Sequence, residues 1–256
     1  MVPLLITRPQ PHNQRCVETL GEHGFSAIAA PMVEIISSPE LARLKQVLSS
    51  TTPNGLIVAV SQYAVEACQQ WLEQQQLSWP RSLQYLAVGK ATAECWQQYG
   101  VKASVPSRQD SEGMLQLIEQ QFPGLDQATI LRGQQGRDWL AQQLQTRGVK
   151  VTYLSCYQRK LITYPQQQLE QWRLQINTIV ATSGEILKHL TTLMSKAEQL
   201  EWLRECHLLV PSQRLLKYAQ SLGFMHIVLC DGASDKACIE ALKQILPSAR
   251  NENDQR

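Results

Sequence analysis

Short apolar runs alternate with amphipathic stretches along most of the chain. The stretch that follows LIVAVS repeats its apolar residues at helical spacing, from Ala64 to Leu72. Strands that are apolar throughout and alternate with helices are typical of parallel sheets that are buried on both faces. The pattern therefore predicts an α/β fold, with early strands at LLIT (4–7), LIVAVS (56–61) and YLAVGK (85–90).

The second half of the chain repeats the plan of the first half. LLITRP matches TILRGQ, which aligns Arg8 with Arg132, and IVAVSQYAVEA matches IVATSGEILKH, which aligns Ser61 with Ser183. YLAVGK with HLLVPS and QDSEGML with GASDKAC then follow in the same order at nearly constant separation. Chance likeness between strand–helix junctions is the alternative, but order and separation together favour an internal duplication. Two similar α/β lobes are therefore predicted, with a ligand cleft between them near the carboxyl ends of their strands.

Small hydroxyl residues and glycines recur where the predicted strands give way to helices. Such positions expose backbone N–H groups at helix N-termini, where the helix dipole favours anions. Each serine or threonine alone is also explained as an N-cap, worth ~1 kcal/mol. The whole set predicts an anionic ligand, and Gln62 and Lys90 are included because they directly follow two of its members. The other candidate substrate-binding residues are Thr7, Ser61, Gly89, Gly133, Thr182, Ser183, Gly184 and Ser212.

Two arginines, Arg8 and Arg132, follow predicted strands at matching positions of the repeat. Each could donate a fork of hydrogen bonds to a carboxylate. A structural salt bridge at the surface of the lobe explains them equally well. Around the second arginine, TILRGQQGRDWL (129–140) predicts a strand, a turn and a helix that begins near Gly136.

Composition and motifs argue against several classes of protein. A formal net charge of +2 gives no broad basic surface for nucleic acid, and no apolar run approaches the ~20 residues of a membrane span. Seven cysteines without a Cys-x-x-Cys, and histidines without ligand spacing, predict neither disulfides nor a metal site. Together with the absence of a signal-peptide pattern, the cysteines predict a cytoplasmic protein.

No cofactor is predicted either. The phosphate-loop motif G-x-x-x-x-G-K-[ST] is absent, GQQG is not the dinucleotide fingerprint, and no G-x-S-x-G marks a nucleophile. A flavodoxin-like nucleotide binder would need a phosphate loop after the first strand, and Pro9 and Pro11 remove two of the amides there. A non-catalytic two-lobed binding protein for a polycarboxylate stays open as an alternative to an enzyme.

An ordered set of segments resembles the uroporphyrinogen-III synthases. The resemblance covers nearly the whole chain, and it is specific as a set although no single motif is diagnostic. It implies two α/β lobes joined by a two-stranded antiparallel ladder formed by MVEIIS and CYQRKL, with residues 1–35 plus 162–256 in one lobe and 38–158 in the other. The segments are LLITRPQPHNQRCVETLGEHGFSAIAAPMVEI, VSQYAVEA, YLAVGKATA, ILRGQQGRDWLAQQLQTRGVKVTYLSCYQR, ATSGEILKHL and LVPSQRLLKYAQSLGF.

The resemblance also implies a substrate and a mechanism. The substrate is hydroxymethylbilane, a linear tetrapyrrole polycarboxylate, and it is closed to uroporphyrinogen III through a spiro intermediate, with the fourth ring inverted and water lost. Tyr157 matches the family's connecting-strand tyrosine and is implied to be the general acid that helps hydroxide leave. The alternative is a tyrosine that only packs the hinge. A monomer with transient contact to the preceding deaminase is also expected.

Overall fold

The computed structural model describes residues 2–245, which form two α/β units. The first unit combines the residues up to Glu34 with those from Lys160 onward, and the second contains Ile35–Arg159. The domain limits implied by the resemblance, 1–35 plus 162–256 and 38–158, stay a prediction. They include residue 1 and residues 246–256, which lie outside the described residues.

Strands and helices alternate along the chain. The strands are β1 (Leu4–Ile6), β2 (Ala27–Ala29), β3 (Val33–Ser37), β4 (Gly55–Ala59), β5 (Gln84–Ala87), β6 (Gln127–Gly133), β7 (Lys150–Leu161), β8 (Thr178–Val180), β9 (His207–Val210) and β10 (His226–Leu229). The helices are α1 (His12–Glu22), α2 (Leu44–Ser50), α3 (Gln62–Gln74), α4 (Lys90–Gln98), α5 (Ser111–Gln121), α6 (Trp139–Gln145), α7 (Gln166–Gln175), α8 (Gly184–Lys196), α9 (Leu200–Glu205), α10 (Gln213–Ser221) and α11 (Asp235–Ile245), and a 3₁₀ turn spans Pro39–Arg43.

The first unit contains a five-stranded sheet in the order β10-β9-β8-β1-β2, and its strand pairs are parallel. The three residues of β1 are fully buried, as expected for a strand covered on both faces. On one face, Leu4 and Ile6 pack with Leu20 of α1 and with Cys238 and Leu242 of α11. The carboxyl end of β1 is thereby fixed next to the start of α11.

The second unit contains a five-stranded sheet in the order β3-β7-β6-β4-β5, in which the pairs from β7 to β5 are parallel. The side chains of strand β4 pack alternately into two apolar cores. Ile57 and Ala59 pack among the residues of α3 and α4, which we call the α3–α4 cluster. Leu56 and Val58 pack among the residues of α5 and α6, the α5–α6 cluster. The apolar run at 56–59 is therefore explained by burial on both faces.

Strands β3 and β7 form the ladder through which the chain passes between the units. Ser38 N–H donates to the Cys156 carbonyl at 3.1 Å, and Ile162 N–H donates to the Met32 carbonyl at 3.0 Å. One strand therefore rises from 32 to 38 while the other falls from 162 to 156, which makes the ladder antiparallel. The predicted fold class, two parallel α/β units joined by an antiparallel ladder, is confirmed.

The stretch 129–140 differs in one respect from its prediction. Strand β6 extends through Gly133, and α6 begins only at Trp139. Gly136 therefore lies in the turn and does not open a helix. The turn is stabilised by Arg132, whose Nη2 donates to the Gly136 carbonyl at 3.3 Å.

Candidate active site

The side chains of Tyr157 and Ser61 meet at the strand ends of the second unit. The Tyr157 hydroxyl lies 3.1 Å from Ser61 Oγ, and either oxygen can be the donor. Ser61 follows β4 in extended conformation and caps α3, because its Oγ accepts from the Ala64 N–H at 3.3 Å. A cap predicted from local sequence therefore also places a hydroxyl beside the tyrosine.

The Tyr157 ring is held from more than one side. The Tyr63 ring of α3 packs edge-on against it, with 5.9 Å between the centroids. The Arg159 guanidinium carbon lies 5.9 Å from its centroid. Only 5% of Tyr157 is exposed, and its hydroxyl lies beside Ser61, which follows the buried strand β4.

Arg132 lies on the other face of the same sheet. Its Nη1 donates to Asp138 Oδ1 at 2.6 Å, and its guanidinium carbon stacks 4.5 Å from the centroid of the Tyr153 ring. Tyr153 packs against the α5–α6 cluster, whereas Tyr157 belongs to the α3–α4 cluster. The geometry supports the salt-bridge explanation of Arg132, which braces the turn before α6.

The pKa of the Asp138 carboxyl is lowered, chiefly by its hydrogen bond to Arg132. A carboxyl whose pKa is lower in the folded chain stabilises the fold above its unfolded pKa, near 4, and loses that contribution as the pH falls through the folded pKa. We therefore expect Arg132→Ala to be less stable than the native chain at pH 7, with a deficit that shrinks below about pH 4. Urea unfolding at pH 7 and at a pH below about 4 measures this deficit in stability. An Asp138→Asn variant should show the same pH dependence, and a deficit that does not change with pH contradicts the brace.

Arg8 makes the equivalent contact in the first unit. Its Nη1 donates to Asp235 Oδ1 at 2.7 Å, and the two side chains are 10% and 17% exposed. Asn13 holds the chain behind it, because its Nδ2 donates to the carbonyls of Ile6 and Arg8, both at 2.7 Å. Sequence reasoning missed Asn13, whose signal is a polar residue on the buried face of α1 beside Cys16.

The remaining candidates of the first unit lie at helix starts. Ser183 caps α8 and Ser212 caps α10, each accepting an N–H at 3.3 Å. Gly184 is the first residue of α8. Thr182 lines a small pocket with Arg8, at the carboxyl ends of β8 and β9. All four residues are half-buried, and Thr182 also borders the pocket.

In the second unit, Gly89 caps α4 without a side chain, and Gln62 is the half-buried first residue of α3. The backbone N–H of Lys90 already donates to Gln109 Oε1 at 3.1 Å. The exposed side-chain ammonium group of Lys90 is therefore the part of this residue that can bind an anion. Gln109 was not among the predicted residues, since it is brought to this helix start from a later loop.

Two predicted binding residues, Thr7 and Gly133, do not lie at a helix N-terminus. Thr7 is fully buried, its hydroxyl donates to the Val180 carbonyl at 2.6 Å, and α1 begins only at His12. Gly133 is the buried last residue of β6, well before α6 begins. Neither residue exposes an amide at a helix N-terminus, because the chain after each strand runs through a turn first.

The cysteine, histidine and acidic side chains of residues 2–245 are the groups that could supply a reactive thiol or a set of metal ligands. All seven cysteines are free and buried, and burial raises the pKa of the Cys95 thiol to about 12, which keeps it protonated and unreactive. Residues 2–245 contain no group of three or more His, Cys, Asp or Glu side chains placed to hold a metal ion. Within the same range, no helix has the length and apolar character needed to cross a membrane.

The fold and the site define a class: two-unit α/β proteins that carry polar groups at the strand ends of each unit, with a tyrosine–serine hydroxyl pair in the second unit. A family model described as uroporphyrinogen-III synthase HemD matches residues 14–240. The chain therefore belongs to the uroporphyrinogen-III synthase family.

Curated relatives and solved structures agree with this assignment. The chain is 36% identical over 244 residues to the uroporphyrinogen-III synthase of Escherichia coli, covering 94% of this chain and 99% of the relative, and equally so to that of Salmonella typhimurium. A mutant uroporphyrinogen III synthase from the extremely thermophilic bacterium Thermus thermophilus has the same fold, with TM-score 0.63, 15% identity and coverage of 96% and 99%. The uroporphyrinogen-III synthetase of Helicobacter pylori aligns with TM-score 0.57, 16% identity and coverage of 96% and 100%.

Proposed function

We propose that this chain converts hydroxymethylbilane to uroporphyrinogen III, and that Tyr157 is its general acid. Family membership supports the reaction. The observation that carries the assignment of the residue is the Tyr157–Ser61 hydroxyl pair, 3.1 Å apart, at the end of a buried strand. A non-catalytic polycarboxylate binder has no need of such a pair.

The reaction begins when the carbon–oxygen bond of the hydroxymethyl group breaks. The nitrogen lone pair of the first pyrrole pushes the electrons, hydroxide leaves, and an electrophilic azafulvene remains. A proton from the Tyr157 hydroxyl converts the leaving hydroxide to water. A phenolic hydroxyl is a hydrogen-bond donor with a proton that it can give up. Because Ser61 Oγ lies within hydrogen-bond distance, its hydroxyl can donate to the phenolate oxygen as negative charge develops there.

Ring closure is then a question of geometry. The fourth ring attacks the azafulvene through its substituted carbon, and a carbon–carbon bond forms to give the spiro intermediate. The bond from that carbon to the carbon that bridges it to the third ring then breaks and leaves a second azafulvene. The free carbon of the inverted fourth ring bonds to this azafulvene, and the proton that it displaces returns to the Tyr157 phenolate, so that only water has left in total. The protein must hold a conformer in which the substituted carbon is nearer than the free one, which is catalysis by proximity and orientation.

Polar and backbone groups at helix starts are proposed to bind the carboxylates, and all of the residues except Gly89 are half-buried or exposed. Backbone N–H groups and hydroxyls there attract anions without many formal charges, which agrees with a net charge of only +2. Lys90 adds one exposed ammonium group. In the first unit the proposed residues are Thr182, Ser183, Gly184 and Ser212, and in the second unit they are Ser61, Gln62, Gly89 and Lys90.

We also propose the cellular compartment of the enzyme, its oligomeric state and its contact with the deaminase. Seven free, buried cysteines agree with a reducing compartment such as the cytoplasm. Hydroxymethylbilane closes without an enzyme to the type I isomer, so transient contact with the deaminase that makes it would shorten its exposure to water. We propose a monomer that receives substrate in this way. Analytical ultracentrifugation of the chain alone and with the deaminase tests both points, and a stable dimer of the chain alone contradicts the first.

One assay tests the function itself. The purified chain is added to the deaminase and its substrate, and the products are separated by isomer. We expect the product to change from type I to type III uroporphyrinogen. Unchanged type I product rejects the enzyme and leaves the binding protein as the explanation.

Ser61 should contribute to turnover and to stability by separate means. Loss of its hydrogen bond to Tyr157, about 1 kcal/mol, lowers turnover roughly fivefold in both Ser61→Ala and Ser61→Gly. Loss of the cap costs about 0.5–2 kcal/mol of stability in the alanine variant but only a few tenths in the glycine variant. Turnover and urea unfolding of both variants measure this. Full turnover in Ser61→Gly would show that the serine is only a cap.

A further inference from the structure

Strand β7 carries one extra residue beside Tyr157. Arg132 of β6 is in register with Ser155, but the next residue, Gly133, is in register with Tyr157. Cys156 therefore has no partner position on β6 and forms a β-bulge. Bulges bend a strand and re-aim the side chains that follow them.

The bulge changes the face on which Tyr157 lies. Successive strand residues point to opposite faces, so Leu154 and Cys156 share one face and residue 157 would occupy the other. Yet Leu154, Cys156 and Tyr157 all pack in the α3–α4 cluster. Simple alternation would turn Tyr157 toward the α5–α6 cluster, away from Ser61, which precedes α3. The extra residue brings the hydroxyl to Ser61.

Gly133 makes room for the ring that the bulge has turned. A Cβ atom at this position would lie 2.9 Å from both Cε2 and Cζ of Tyr157 and 3.2 Å from its hydroxyl oxygen. Contacts under 3.0 Å are essentially never made by real Cβ atoms, so the ring would have to move. The φ of Gly133 does not lie in the left-handed region, so the position needs glycine for space and not for its backbone conformation.

We propose that Gly133 and the Cys156 bulge together position the Tyr157 hydroxyl, and that Gly133 is a positioning residue for the reaction. The ring rests on Gly133, meets Tyr63 edge-on, and ends at Ser61 Oγ. The backbone of Tyr157 is fixed as well, since its carbonyl accepts from the Gln134 N–H at 2.9 Å. The kinetic consequence rests on the proposed role of Tyr157 as the acid, whereas the steric device does not.

Gly133→Ala is the direct test. The methyl group displaces the ring, and a shift of about 1 Å in a reacting group can cost on the order of 100-fold in rate. We expect kcat to fall by about 10- to 100-fold with KM little changed, because the carboxylate-binding groups are untouched. Gly21→Ala is the matched control, since an added Cβ there meets nothing within 4 Å, and it should retain native kinetics.

A second background separates positioning from a general structural effect. In a Tyr157→Phe chain the hydroxyl is already gone, so adding Gly133→Ala should lower kcat little further. An equal further loss in that background overturns the proposal, because the glycine would then act through something other than the hydroxyl.

If Gly133→Ala alone does not fold, it is combined with Tyr157→Ala, which removes the ring that the methyl group meets. The pair should then be as stable as Tyr157→Ala, and a less stable pair overturns the steric argument.

A readout without turnover keeps the two proposals apart. The protein is labelled with [13Cζ]tyrosine, and the NMR signals of its seven tyrosines are recorded. The signal that is missing from the spectrum of Tyr157→Phe belongs to Tyr157. We expect Gly133→Ala to shift that resonance and Gly21→Ala to leave it in place. An unshifted resonance overturns the positioning. If Tyr157→Phe is instead fully active, the acid role fails although the shift still reports the steric device.

Discussion

Tyr157→Phe is expected to lower kcat by at least about 100-fold while the fold stays intact, because general-acid catalysis typically contributes 10²–10⁴-fold. The substitution removes one oxygen and keeps the ring that packs against Tyr63 and Gly133. Without a proton donor, hydroxide must leave unassisted, and uncatalysed closure competes. The remaining product should therefore shift toward the type I isomer. The deaminase-coupled assay with separation of isomers measures both quantities.

Tyr85→Phe is the matched control for Tyr157→Phe. Tyr85 lies in the same unit, and its hydroxyl donates to the Pro80 carbonyl at 2.8 Å, away from Ser61. Loss of that bond should cost about 1 kcal/mol of stability and leave turnover unchanged. Near-normal formation of the type III isomer by Tyr157→Phe would contradict the assignment of the acid and leave Tyr157 as a packing residue.

Features of the fold that have a local determinant can be predicted from the sequence. An apolar run followed by helical periodicity predicts both β4 and α3, and a serine between them predicts the cap that Ser61 forms. The same holds for Ser183 and Ser212. These features depend on residues three or four apart, so one stretch of sequence contains all the information they need.

Thr7 and Arg8 have partners that are distant in the chain. Thr7 looks like an exposed hydroxyl at a strand end, but its hydrogen bond goes to Val180, 173 residues away in the chain. Arg8 finds its carboxylate on Asp235, 227 residues away. Neither partner is marked by its own neighbours in sequence, so local patterns could not decide between a binding group and a structural one.

The bulge beside Tyr157 shows a different limit. Alternation along a strand assigns Cys156 and Tyr157 to opposite faces, and nothing in SCYQRK signals an extra residue. Gly133 follows a predicted strand, and this position alone predicts free backbone amides. Its actual partner is an aromatic ring on the neighbouring strand, and only the register between β6 and β7 brings the two together.

Trp96→Ala is expected to have the largest effect on stability. Trp96 is fully buried on α4, and its ring packs edge-on against Trp79 at 5.7 Å and Tyr85 at 5.3 Å between centroids. Removing a buried tryptophan typically costs about 3–5 kcal/mol, against a total stability of about 5–15 kcal/mol for a domain. Urea unfolding followed by circular dichroism should show the second unit losing structure at much lower denaturant.

Trp96→Phe distinguishes lost packing from lost hydrogen bonding. Within residues 2–245, the Trp96 Nε1–H is buried without a hydrogen-bond acceptor, and such a group carries a penalty of about 1–3 kcal/mol. Phenylalanine removes that N–H while it keeps an aromatic ring against Trp79 and Tyr85, so the two effects offset each other. We expect Trp96→Phe to lose far less stability than Trp96→Ala. An equal loss in both variants would mean that the indole N–H makes a favourable interaction. It would also mean that packing of the ring against Trp79 and Tyr85 is not what stabilises α4.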